Sequence, residues 1–97
     1  MPFAIILAPE AVEELRRLPA NVRAMVRSAL ETHLRPAPET TSRSRIKRLR
    51  GVLRPRYRLR VGEIRVFYDV SATTVEVLAI VAKSDTGSWL ARFANPE

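Results

Sequence analysis

The sequence predicts an α+β fold: an antiparallel β-sheet with an N-terminal helical hairpin packed on one face. Three observations predict it. Val22, Met25, Val26, Ala29, Leu30, His33 and Leu34 step by three and four, the apolar stripe of a helix. Residues 57–61 and 63–70 alternate with period two, as half-buried strands do. Residues 74–82 form an almost unbroken apolar run, which suits a central strand. The order β-α-α-β-β-β implies an antiparallel sheet with the helical hairpin packed on one face.

Each element has its own signals. Residues 3–7, rich in β-branched and aromatic side chains, read as the first strand. Pro9 suits the first position of a helix, and Glu10, Glu13 and Glu14 suit its positive end. Arg16 and Arg17 suit its negative end, Ala11, Leu15 and Leu18 share a face, and Pro19 stops it. The second helix carries the long stripe and ends at Pro36 and Pro38. Residues 37–44 are polar and proline-bearing, the composition of a mobile loop. Residues 45–51 read as a strand or an extended approach to one. Gly62-Glu63 between two alternating runs fits a two-residue hairpin loop with glycine first, the type II′ pattern. Ser71-Ala72-Thr73 makes a tight connection to the apolar run. Trp89, Leu90 and Phe93 share one face of a short C-terminal helix.

Ninety-seven residues suit one domain, 1–97. The chain has no cysteine, which excludes a disulfide scaffold, a thiolate zinc site and a cysteine nucleophile. No apolar run reaches the roughly 18 residues of a membrane span. The start lacks the basic region of a signal peptide, so a cytoplasmic location is expected. The net charge is +7, and fifteen of the seventeen basic residues are arginine. The whole excess lies in residues 43–65, which hold ten bases and only Glu63. So basic a block marks contact with nucleic acid or another polyanion, and arginine's planar fork suits phosphate.

The hairpin sorts these arginines. With Gly62 and Glu63 as loop residues, Arg60 faces Arg65, Leu59 faces Val66 and Arg58 faces Phe67. Directly opposed residues point to the same side of a sheet. Tyr57, Leu59, Val61, Ile64, Val66 and Tyr68 therefore line the face that receives the helices. Arg58, Arg60 and Arg65 gather on the other, beside Phe67. Opposed like charges destabilise a plain sheet, so the cluster implies either an anionic partner or carboxylates such as Asp69, Glu76 or Asp85 brought in from neighbouring segments.

The run Lys47-Arg48-Leu49-Arg50-Gly51, followed by residues 57–68 reading YRLRVGEIRVFY, resembles the core signature of the RelE/ParE toxin superfamily. The opening strand and the helix begun by Ala8-Pro9-Glu10-Ala11 are similar as well. The resemblance implies the toxin half of a type II toxin–antitoxin pair, partnered by a cognate antitoxin. RelE-like members cut messenger RNA in the ribosomal A site without a metal or other cofactor. The ribose 2′-oxygen attacks the adjacent phosphate and leaves a 2′,3′-cyclic phosphate. ParE-like members share the fold and inhibit DNA gyrase instead. By resemblance, Arg65 contacts the scissile phosphate, and Arg58, Arg60 and Lys83 complete the catalytic set. Lys47, Arg48, Arg50, Arg54, Arg56 and Trp89 are the expected RNA-binding residues, with Trp89 either stacking on a base or anchoring a core.

The chain departs from the RelE pattern in two places. Arg58 and Arg60 stand where the best-known RelE-type enzyme has lysines, and arginine stays protonated, so both stabilise charge but accept protons poorly. The C-terminal tyrosine or histidine of such enzymes is missing; His33, the one histidine, lies on a helical apolar stripe and is expected to pack. Three functions follow: a ribosome-dependent mRNA endonuclease, a gyrase inhibitor, and a catalytically decayed basic module that only binds nucleic acid.

Overall fold

In the computed structural model, which describes residues 2–97, the elements run in chain order as follows. β1 is Ala4–Leu7, α1 Pro9–Arg17, α2 Ala20–Ala29, β2 Ile46–Arg48, β3 Val52–Arg54 and β4 Tyr57–Val61. β5 is Ile64–Val70, β6 Thr74–Ala82, α3 Thr86–Phe93 and β7 Asn95–Pro96. Five strands form one sheet in the order β1-β6-β5-β4-β2, and β3 and β7 form a separate two-stranded pair.

Local chemistry sets the helices as the sequence implies. Pro9 opens α1, Arg16 and Arg17 close it, and Ala11 and Leu15 are its buried residues. Pro19 is the N-cap of α2. The expected single second helix instead changes winding at Leu30–Leu34, a π-helical turn in which the Arg35 N–H donates to the Leu30 carbonyl at 3.0 Å. The wider turn keeps Leu30 and Leu34 buried. Met25, assigned to the apolar stripe, is instead 51% exposed. The 37–44 segment is tethered: the Pro38 carbonyl accepts from Tyr68 Oη at 2.7 Å, and Ser42 Oγ accepts from the Arg45 and Ile46 N–H groups.

The β4–β5 hairpin has the anticipated register, with Tyr57 opposite Tyr68, Arg58 opposite Phe67 and Arg60 opposite Arg65. Gly62 takes φ +57° and, among the described residues, no non-glycine residue has positive φ, which excludes a type I′ turn and fits type II′. β5 and β6 are also antiparallel, with an irregularity where Phe67 meets Ala79 but Tyr68 meets Val77, leaving Leu78 out of register.

The sheet is not wholly antiparallel. β1 pairs with β6 in parallel, Ala4 beside Thr74 and Leu7 beside Val77. The helices carry the chain from β1 at one edge to β2 at the other, so β1 meets its partner only when β6 returns across the sheet. Beyond Leu7 that flank of β6 has no strand, and Glu14 Oε1 of α1 accepts from the Ile80 N–H there at 2.8 Å.

The core lies between the helices and one sheet face. Ala11, Leu15, Val26, Leu30 and Leu34 pack with Leu59, Val61, Ile64, Val66, Tyr68, Val75, Val77 and Ile80. Each large apolar side chain so buried contributes about 1.5–3 kcal/mol. Tyr57 and Tyr68 stack at 5.5 Å within this layer. The opposite face is partly roofed. Trp89 of α3 stacks on Phe67 at 4.9 Å with the rings 7° apart, and Phe67 is fully buried.

Candidate nucleic-acid interface

The second sheet face is built in cross-strand rows. Lys47 of β2 lies opposite Arg58 of β4, which lies opposite Phe67 of β5. In the next row Arg60 lies opposite Arg65, which lies opposite Val81 of β6. Opposed residues share a side, so Lys47, Arg58, Arg60 and Arg65 form one cluster. Lys83 joins its edge: the Lys83 N–H donates to the Glu63 carbonyl at 2.8 Å, which holds the start of the C-terminal segment against the hairpin loop.

Among the described residues, Arg65 is the one charged side chain in the buried set, at 6% exposure. Its Nη1 donates to the Gly62 carbonyl at 2.8 Å and the Ile64 carbonyl at 3.0 Å. The guanidinium is thus fixed by the loop it follows, with its Nε and Nη2 left for a ligand. Arg58 is half-buried, and its Nε is a buried donor with no hydrogen-bond partner. Burial, reinforced by the positive charges of Arg65 and Arg60, holds the Arg58 pKa below the usual arginine value. A desolvated, unpaired donor among like charges is costly, and an anion in the cluster relieves all three terms together.

Carboxylates do not fill that role. Asp69 and Glu76 both pair with Arg54 at 2.8 Å, and Asp69 Oδ1 also accepts from the Arg56 N–H at 2.7 Å. Among the described residues, the ion pairs are those two and the helical pairs Arg16–Glu13 and Arg35–Glu31; none reaches Lys47, Arg58, Arg60, Arg65 or Lys83.

The structure therefore divides the sequence-derived site residues. Arg58, Arg60, Arg65 and Lys47 come together, with Lys83 at their margin. Arg54 is neutralised by two acids at the far end of the face, beside Arg56. Arg48 opposes Tyr57 and so points to the helical side. Arg50 is exposed in the connection after β2. Trp89 has one ring face against Phe67 and touches Phe93 at 5.7 Å, the surroundings of an anchor. His33 lies on the helical side, away from the cluster, its pKa lowered by burial and by Arg45. Sequence reasoning missed the roof that α3 makes over this face. Phe67 was the available signal, because a phenylalanine among arginines needs an apolar cover.

The fold is that of the RelE-type toxins. The chain superposes on a RelBE toxin–antitoxin complex of Mycobacterium tuberculosis with a TM-score of 0.69 and 25% identity, covering 84% of this chain and 99% of that one. It superposes on the RelB–RelE antitoxin–toxin complex of Methanococcus jannaschii with a TM-score of 0.67 and 19% identity, covering 87% and 96%. For the YoeB dimer of Staphylococcus aureus the values are 0.64, 17%, 81% and 94%. Comparison with curated proteins gives no match. The family model of the ParE toxin of type II toxin–antitoxin systems, parDE, matches residues 5–86. The chain belongs to that family, and so to the toxins of the RelE/ParE superfamily.

Proposed function

We propose that this toxin is a metal-independent mRNA endonuclease acting on the ribosome, neutralised by a cognate antitoxin. One observation carries the reading: a carboxylate-free cluster of Arg58, Arg60, Arg65 and Lys47 in which Arg65 is locked by its own hairpin loop. Fixed donors that need no rearrangement are what a phosphoryl transition state rewards. Arg65 would hold the scissile phosphate, Arg58 and Arg60 would stabilise its growing charge, and Lys83 would add positive charge at the margin. Lys47 would position the strand through its phosphates.

A cell-free translation reaction followed by primer extension tests this. Codon-spaced cuts are expected with the wild type and not with Arg65→Ala. Intact mRNA would overturn the reading. A second reading, inhibition of DNA gyrase, is favoured by the ParE family match and by guanidinium groups standing where a proton acceptor is wanted. Loss of supercoiling by purified gyrase, with mRNA left intact, selects it.

A further inference from the structure

Where β1 ends, the sheet opens into a cavity. β1 stops at Leu7, and among the described residues no strand pairs with β6 beyond it on that flank. Glu14 of α1 stands there instead, its Oε1 accepting from the Ile80 N–H at 2.8 Å. Across from it runs α3. The Lys83 N–H holds the approach to that helix at the hairpin loop, and β7 pairs with β3 beyond its end, so α3 crosses the face toward Arg54. Between α1, β6 and α3 lies a space of about 340 Å³. That is within the roughly 300–1,000 Å³ of small-molecule sites.

Its walls are of two kinds. Leu78 of β6 and Trp89 and Phe93 of α3 make an apolar wall, with the two ring centres 5.7 Å apart and the planes tilted by 40°. Glu10 and Glu14, one helical turn apart on α1, supply negative charge. Among the described residues neither carboxylate has an ion-pair partner. Burial, helped by the negative charge of Glu10, raises the Glu14 pKa; the Ile80 N–H and Arg17 oppose this without cancelling it. Arg54 also lines the space, but its two terminal nitrogens are engaged by Asp69 and Glu76. On a chain of net charge +7, this is a pocket of unmet negative charge beside aromatic rings.

We propose that the cavity binds a small alkylguanidinium, its planar head stacked on the aromatic wall and its nitrogens turned to Glu10 and Glu14. The chemistry selects the class. Aromatic faces attract cations, and a guanidinium lies flat on them while its fork bonds carboxylates. Phe93 already accepts one such group: Arg92, which is outside the cavity lining, stands 5.1 Å from its ring centroid. Leu78 would receive the alkyl chain. A compact inorganic cation would exchange its hydration for apolar walls and too few oxygens. RNA phosphates are repelled by the two glutamates and drawn to the arginine cluster instead. Two sources share the alkylguanidinium chemistry, a free small molecule and an arginine side chain of another protein.

Trp89 is the one tryptophan of the chain, so its fluorescence reports the site directly. The full chain is titrated with butylguanidinium, and with butylurea as the neutral molecule of the same shape. A saturable change is expected with the first alone. Glu14→Gln keeps an acceptor for Ile80 and should weaken binding about tenfold, as loss of a charged hydrogen-bond partner does. Phe93 is 57% exposed, so Phe93→Ala spares the fold and should weaken binding about fivefold. Glu13→Gln, on the same helix but outside the cavity, should change it by less than about twofold. Equal binding of butylurea, no saturable binding of butylguanidinium, or binding that survives both Glu14→Gln and Phe93→Ala would each overturn the proposal. N-acetylarginine amide separates the sources. Affinity equal to that of butylguanidinium assigns the site to an arginine of another protein, and lower affinity assigns it to a free ligand.

Discussion

Arg65 combines two properties that rarely coincide, deep burial and the lack of a carboxylate. The Gly62 and Ile64 carbonyls accept from one of its nitrogens and orient the rest. Loss of such a fixed donor costs roughly 10²–10³ in rate. Arg65→Lys is expected to fall nearly as far as Arg65→Ala in the cleavage assay, because an ammonium cannot both bond the loop carbonyls and present a second planar donor. Glu14 makes a separate prediction. Burial raises its pKa above the ordinary 4.5, against the lowering effect of the Ile80 N–H. The folded state therefore holds that proton more tightly than the unfolded chain. The stability this adds is present in acid and is lost as pH rises from 4.5 through the folded pKa. Glu14→Gln keeps an acceptor for Ile80 and does not titrate. Urea unfolding should show the wild type losing ground to this variant between pH 4 and pH 7.

Among the elements, α3 decides what the second face can do. It covers Phe67 with Trp89, leaving Arg60 exposed and Arg58 half-buried beside it. Trp89→Ala should therefore lower stability by about 2 kcal/mol, below the range for a fully buried tryptophan because Trp89 is half-exposed. Binding of a single-stranded RNA to the folded variant, measured below its melting point, should change by less than threefold; a larger loss would identify Trp89 as a base-stacking platform. The hairpin was legible to the residue, because alternation and Gly62 act over neighbouring positions. The helices were legible too, apart from the π turn, which no local propensity announces. The pairing of Arg54 with Asp69 and Glu76 was hidden, since it joins segments fifteen and twenty-two residues apart. The sequence named those acids as candidate partners but for the wrong arginines.

For the whole molecule, charge and topology set the behaviour. With Lys47, Arg58, Arg60, Arg65 and Lys83 gathered, RNA affinity should fall steeply with salt. Each of these removed should lower the slope of log affinity against log salt by about 0.7. A filter-binding series from about 50 to about 300 mM salt reads both effects. The basic block was legible as a quantity, but its division into a free cluster and a neutralised Arg54 depended on tertiary pairing. The edge position of β1 was equally hidden, for nothing in residues 3–7 states which distant strand they will meet.

That pairing has a consequence for synthesis. Ala4 finds its neighbour only at Thr74, and Phe67 receives its roof only from α3. During translation the first strand and both N-terminal helices emerge with no sheet to close upon, and the arginine face draws on residues from Lys47 to Lys83, with its cover from Trp89. The chain therefore completes its sheet and the cover over Phe67 only when elongation is nearly finished.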